Sequence, residues 1–439
     1  MPRMSRTAVQ AVLVFIALIA GAVVGDWLYS SGGASRWWQD LGDLVLIRPL
    51  VALSVPIVFV VVAIGMTTIS DPKTLGKLGG VTVAFYVGTT LIATVIGAVL
   101  VTSIAPGAGA DESTSAALRA TGAAAIAADT GNADRLRSAE SLGLSGAFLS
   151  IAQQAIPRNL FAEASAGNTL AAIVAGLLFG VAAALGGART RPVIALLEGL
   201  ADILFRIVAW VLVLLPLGVF LLVTAAIAKV GLRAVAGPLA AYMAVVLIGL
   251  LIQGVIILPI LQRLLGGGNG WRFAWDIRRA LLTAFATSSS NASLAVTLEE
   301  CVENGRCSRQ ATNFVIPLGG AINSNGTALY ESVAVLFLFQ LYGVSLEWGE
   351  IALVVVAATL AAAGTAGIPA AGLVTMVIVI SAANAALAGR GIDPLPLSAI
   401  GIIIGVDRIL DMSRTVLNVW GDCVAARVVT RLAPDVAPA

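Results

Sequence analysis

The sequence predicts an all-α polytopic membrane protein, and three observations carry that reading. Hydrophobic residues make up 59% of the 439 positions, charged residues only 11%, and the mean hydropathy is +0.98. Soluble domains carry about 25% charge. The apolar residues also fall into charge-free runs near the length of a bilayer-crossing helix, about 20 residues. Such a composition excludes a water-solvated monomer, a disordered chain and a disulfide-stapled secreted domain. With 26 basic and 24 acidic residues the net charge is +2, leaving no basic excess for nucleic acid to neutralise. The chain contains no His, which removes His metal ligands, general bases and proton relays together. Its three Cys, at 301, 307 and 423, form no metal or disulfide framework and read as free thiols.

In chain order the runs are Thr7–Gly25, Leu50–Ser70, Leu78–Ala110, Ile207–Ala228 and Ala234–Gln262, with a further apolar segment at Asn168–Ala188. The first follows Arg3 and Arg6 and ends in small residues, which also fits a signal peptide. Read as a membrane helix, it has a cytoplasmic N-terminus by the positive-inside rule. Alternation then puts Lys73 and Lys77 inside, and the stretch 111–140 outside. Arg189, Arg191, Arg263, Arg272, Arg278, Arg279, Arg427 and Arg431 fall inside, so both termini are expected in the cytoplasm. Lys229 and Arg233 are exceptions, falling in an outside turn.

Two later segments break the pattern. LTAFATSSSNASLAVTLEE is apolar at its flanks and polar at Ser288, Ser289, Ser290 and Asn291. VVVAATLAAAGTAGIPAAGLVTMVIVI is interrupted at 364–369 by Gly, Thr and Pro. Broken helices free backbone N–H and C=O groups, which cost several kcal/mol each in hydrocarbon, so such segments line a polar cavity or are buried in protein. Re-entrant hairpins or kinked spans both satisfy this, and paired broken segments point to a transporter's binding site. Between them, PLGGAINSNGTALYESVAVLFLF carries Gly319, Gly320, Asn323, Ser324, Asn325, Gly326 and Thr327. Unwound helix there aims carbonyl and amide oxygens inward, as hard ligands for a sodium-like cation. The alternative is a kink for close helix packing.

The last apolar segment holds Asp407, Asp411, Arg414, Asn418 and Asp422, spaced four, three, four and four apart. At about 100° per residue these share one face. Each intramembrane charge costs roughly 2.5–3.5 kcal/mol. The simplest internal ladder, Asp411–Arg414 and Arg414–Asn418, leaves two of three carboxylates uncompensated, so a cationic visitor is expected. Arg408, at the edge of the stripe, offsets one charge. An intramembrane aspartyl protease using Asp407 and Asp411 is disfavoured, since both lie on one helix.

At these residues a family becomes visible. TSSSN at 287–291, INSNGTALYE at 322–331, AAGTAGIPAAG at 362–372 and DRILDMSRTVLNVWGD at 407–422 resemble the four signature regions of glutamate-transporter homologues, the dicarboxylate/amino acid:cation symporters. FYVGTTLIATVIG, followed by PGAG at 106–109, resembles that family's third helix. The resemblance covers essentially the whole chain. It implies an elevator-type fold of eight transmembrane helices plus two re-entrant helical hairpins, assembled as a homotrimer in the plasma membrane, the inner membrane of a prokaryote. It implies scaffold helices 1 and 2 at 1–77, transport-domain helix 3 at 78–110 and an extracellular loop at 111–144. Scaffold helices 4 and 5 follow at 145–230. The rest of the transport domain lies at 231–433, with the second hairpin as lid.

The resemblance also implies residue roles. Arg414 would hold the side-chain carboxylate of an acidic amino acid, and Asp411 its ammonium. Ser290 and Asn418 would take the α-carboxylate, with Ser289 beside them. Thr327 and Thr415 would give hydroxyl contacts and Gly372 a backbone contact. One sodium site would use Gly319, Asn323, Asn418 and Asp422. A second, under the lid, would use Ala321, Ala362, Ala363 and Thr365. A third would use Tyr86, Thr89, Thr90, Asn323 and Asn325. Asn325 stands where the family's N-x-D-G-T motif has an acid, so about two sodium ions rather than three are expected. Ser288 and Met412 stand where many members carry an extra Arg. Asp411 argues against a C4-dicarboxylate substrate, which has no ammonium. Arg414 argues against a neutral one, which would leave it unpaired. Proton coupling through Asp407 or Asp411, and a passive anion leak, remain alternatives.

Overall fold

The computed structural model describes residues 6–31, 36–67, 72–108, a few positions between 115 and 162, 169–230, 238–363, 371–388 and 390–432. Among these every regular element is a helix. Helices α1 (Arg6–Ser30), α2 (Arg36–Gly42) and α3 (Arg48–Thr67) come first, with a π-helical turn at Asp43–Ile47 joining the last two. Next are α4 (Pro72–Ile104), α5 (Thr169–Leu185), α6 (Arg191–Leu212) and α7 (Leu215–Val230). Helix α8 (Pro238–Leu251) continues through Ile252–Ile257, Leu258–Leu261 and Gln262–Gly266, two of these segments being π-helical. The stretches Gly76–Ile104 and Leu239–Gly266 are each long and apolar enough to cross a bilayer.

Packing follows small residues. Helix α1 lies along α7, and α3 lies against α5 and α6. On α5, Gly176 and Gly180 sit four apart, where a Cβ would collide with the Phe59 and Ala63 carbonyls of α3. This close backbone approach is a common membrane-helix contact. A row on α4, Val83, Val87, Leu91, Val95 and Val99, stays exposed at four-residue spacing, a surface suited to lipid rather than water.

Two boundaries depart from the expectation. Ile207–Ala228 is not one helix: it breaks at Val213–Leu214 between α6 and α7. Pro216 lacks the N–H that would continue the ladder. Leu78–Ala110 stops at Ile104, with Ala105 in the left-handed region ahead of Pro106. Helix α4 instead starts earlier, at Pro72, with its fixed φ suited to a first position.

The C-terminal part is a set of broken helices around one post. Helices α9 (Gly270–Asp276), α10 (Arg278–Thr287), α11 (Ser290–Glu303), α12 (Arg309–Ile322), α13 (Asn325–Leu341), α14 (Trp348–Ala363) and α15 (Ala371–Ala388) precede α16 (Gly401–Leu432). The expected breaks at the SSS tract and at Asn323–Ser324 are present. Helices α10 and α11 form a hairpin, closed by Ser288 in the left-handed conformation and by the Ser289 side chain accepting from Ala292 N at 3.1 Å. Helices α14 and α15 pack together as a second pair. Their connection, 364–370, lies outside the described residues. Helix α16 is buried along nearly its whole length, against α10, α12, α13 and α8. A helix so enclosed can carry polar residues only where neighbours answer them.

Candidate functional site

All five stripe residues of α16 are buried. Arg414 is 1% exposed. Its Nη1 donates to Asp407 Oδ1 at 2.9 Å and its Nε to Asp411 Oδ1 at 3.0 Å. Its Nη2 lies 2.8 Å from the same Asp411 oxygen, close enough for an ion pair but without hydrogen-bond geometry. The guanidinium carbon sits 4.0 Å from the centre of the Tyr330 ring, a desolvated cation–π contact. The ladder therefore differs from the expected one. Arg414 bridges two carboxylates one and two turns back on its own helix. The two groups expected to grip opposite ends of a substrate, Arg414 and Asp411, hold each other.

Asn418 is not part of that ladder. It points to α13, its Oδ1 accepting from Gly326 N at 2.7 Å and its Nδ2 donating to Thr327 Oγ1 at 3.2 Å. Thr415 donates its hydroxyl to the Asp411 carbonyl at 2.8 Å. Gly372, at the start of α15, lies so close that a Cβ there would come within 2.9 Å of the Thr327 methyl and 3.5 Å of the Arg414 guanidinium. Three elements thus bring Thr327, Gly372, Asp411, Arg414, Thr415 and Asn418 together. Ser289 and Ser290 are buried at the start of α11. No hydrogen bond ties Ser290 to Arg414 or Asn418.

A second polar cluster lies one turn further along α16. Asn323, at the break between α12 and α13, donates Nδ2 to Asp422 Oδ1 at 2.7 Å and to the Asn418 carbonyl at 3.2 Å. A Cβ on Gly319 would collide with the Asp422 carboxylate and lie 2.5 Å from the Tyr86 hydroxyl. Glycine is thus what lets these two groups close on α12. The buried Asn323 Oδ1 and both polar atoms of the Asn325 side chain have no hydrogen-bond partner. Buried polar atoms of this kind call for a ligand. One carboxylate, amide oxygens and backbone carbonyls make a hard-oxygen set that fits sodium. No cluster of three or more His, Cys, Asp or Glu suited to a metal occurs among the described residues.

The remaining expected ligands are placed as follows. Tyr86 donates to the Val315 carbonyl at 2.9 Å and Thr89 to the Phe85 carbonyl at 2.8 Å, which leaves lone pairs on both hydroxyls. Thr90 is buried beside them. Ala321 and Ala363 are half-buried and Ala362 is buried, at the ends of the contacting helices α12 and α14. Thr365 lies outside the described residues.

Two groups escaped the sequence reading. Glu331 is buried on α13, one turn beyond Thr327, and accepts a hydrogen bond from Thr375 on α15 through one oxygen. Its other oxygen has no partner. The signal is a lone carboxylate in the apolar run LYESVAVLFLF. Gln253, in the π-helical turn after α8, donates Nε2 to the Thr89 carbonyl at 3.2 Å, with Oε1 buried and unpartnered. Nothing in an apolar run announces a π-turn.

Residues 11–432 match the family model of the sodium:dicarboxylate symporter family. The chain belongs to that family. Among its relatives are human neutral amino acid transporter B(0), 31% identical over 97% of this chain and 80% of the relative, and human excitatory amino acid transporter 3, 32% identical over 95% and 85%. The proton/sodium-glutamate symport protein of Geobacillus stearothermophilus is 29% identical over 95% and 93%. The family consists of transporters, not enzymes, so this symporter is a multi-pass membrane protein. The resemblance read from its four motifs holds. Asp407 and Asp411, the pair weighed as a protease dyad, are in this symporter the two partners of Arg414.

Proposed function

We propose that this symporter couples sodium entry to uptake of an acidic amino acid, glutamate or aspartate. The observation that carries the reading is a single guanidinium clamped by Asp407 and Asp411, with Gly372 packed against it and Thr327 beside Gly372. If Asp407 retains Arg414, Asp411 is released to meet an ammonium. The planar Arg fork then accepts a substrate carboxylate in its place. Ser289, Ser290, Thr415 and Asn418 complete the substrate set. Because Asp407 and Asp411 already satisfy Arg414, a neutral substrate would not leave the guanidinium unpaired. Acidic substrate is supported instead by the relative named a proton/sodium-glutamate symport protein.

Sodium sites are proposed at Gly319, Asn323, Asn418 and Asp422, and under the lid at Ala321, Ala362, Ala363 and Thr365. A third, at Tyr86, Thr89, Thr90, Asn323 and Asn325, binds weakly because Asn325 supplies an amide where a carboxylate would be stronger. The elevator reading makes residues 78–110 and 231–433 the moving body within a trimer of an inner membrane, with cytoplasmic termini. Reversal potentials in proteoliposomes should fit two sodium ions per substrate. A fitted ratio of three, or uptake indifferent to sodium, overturns the coupling.

Proton coupling is a second reading, favoured by Glu331. Asp407 and Asp411 pair with Arg414, while the buried Asp422 and Glu331 make no ion pair among the described residues. An unpaired buried carboxylate is costly when ionised, and Glu331 has only a hydroxyl partner. If a proton rides on Glu331, uptake falls as pH rises through its titration. Glu331→Gln then transports with a flat pH profile between acid and mildly alkaline buffer. A profile of wild-type slope in that variant rejects the proton reading and leaves sodium alone.

A further inference from the structure

The base of the first hairpin holds a cavity of about 260 Å³, formed by α9, the start of α10, the end of α11 and the turn after it. Four guanidiniums line it, from Arg272, Arg278, Arg279 and Arg306. Their partners differ. Arg279 pairs with Glu300 at 3.2 Å, and Asn304 donates to the same carboxylate at 3.0 Å. Arg278 donates only to the Trp275 carbonyl at 2.8 Å and lies over the Trp275 ring at 5.1 Å. The side chains of Arg272 and Arg306 make no ion pair or hydrogen bond among the described residues. The wall thus offers guanidinium groups to an anion from outside the fold.

The rim says where that anion comes from. Asn269 caps α9 by accepting from Trp271 N and Arg272 N, which sets the helix register. Trp271 and Trp275 then fall one turn apart on one face, 47% and 68% exposed, and Leu264 and Leu265 in the preceding turn are exposed too. Trp271 also donates its indole N–H to the Val255 carbonyl at 2.8 Å. Amphipathic indoles settle at the boundary of acyl chains and headgroups. Basic pockets between membrane helices at that depth take anionic headgroups. Asp276 and Glu303 also line the cavity, and their like charge disfavours a dianion more than a singly charged anion.

We propose that this cavity binds the phosphodiester of an anionic membrane lipid, through Arg272 and Arg306. A planar guanidinium matches the two free oxygens of a phosphodiester. The site ties the base of the first hairpin to the membrane surface. It stands apart from the substrate and ion reading, and its test needs neither.

The purified full chain is presented with equimolar phosphatidylglycerol and phosphatidylcholine, and retained lipid is read by native mass spectrometry. Wild type should keep phosphatidylglycerol over phosphatidylcholine by about 30-fold, the weight of two basic contacts near a membrane surface. Arg272→Gln with Arg306→Gln should bring that ratio close to one. Neither side chain holds the fold together, and the Lys pair at the same positions should restore part of the preference. Arg263→Gln, outside the cavity, should leave it intact. No preference in wild type, an unchanged one in the double Gln variant, or equal loss in Arg263→Gln overturns the site. Displacement of phosphatidylglycerol by millimolar inorganic phosphate makes the ligand a soluble anion and overturns the lipid assignment.

Discussion

Arg414→Ala should lower uptake of acidic amino acids at least about 100-fold, the cost of truncating one partner of a buried, hydrogen-bonded charge pair. It should also destabilise the protein by about 3–5 kcal/mol, because Asp407 and Asp411 are left buried without their cation. The two effects separate in a double variant. Arg414→Ala with Asp407→Asn removes one guanidinium and one carboxylate together, so the melting temperature should return toward wild type. Glutamate uptake should stay lost, while a small neutral amino acid is accepted. Recovery of glutamate uptake to within about threefold of wild type would remove Arg414 from the substrate site and leave it a structural bridge.

The second large effect is expected at Asp422. Asp422→Asn keeps an acceptor for Asn323 but removes the only carboxylate of that cluster. The sodium concentration for half-maximal uptake should rise about 10- to 100-fold, since affinity for a hard cation follows ligand charge. A readout independent of transport is thermal stability. A ligand bound only to the folded state raises stability by RT ln(1 + [L]/Kd). Wild type should therefore melt higher in sodium than in choline, and the variant should lose most of that difference. An undiminished sodium shift in Asp422→Asn would move the cation elsewhere.

Much of this site was legible in the sequence because its signals are local. Helix breaks need only Ser, Asn, Gly or Pro in an apolar run, and those at Ser288 and at Asn323–Ser324 fall where composition put them. The stripe on α16 is a matter of helical period. Even the Asp407–Arg414–Asp411 bridge lies within one helix, three and seven residues apart. Counting charges along the stripe leaves two carboxylates uncompensated, whereas one guanidinium spans Asp407 and Asp411 and leaves only Asp422. The break ahead of Pro216 has a similar cause: an uncharged run predicts one helix, but Pro216 cannot donate to the ladder.

The sequence by itself therefore determined the membrane class, the all-helical architecture, the interrupted helices and the single polar face of the last one. Each follows from composition or from a repeat of three to four residues. Only the tertiary structure decided which polar groups meet. Asn323 reaches Asp422 across 99 positions, Asn418 reaches Gly326 across 92, and Thr375 reaches Glu331 across 44. The stacking of Tyr330 on Arg414 and the walled cavity beneath the first hairpin belong to the same class. Such contacts are set by how closely small residues such as Gly319 and Gly372 let whole helices approach, and no local period encodes the distance between two helices.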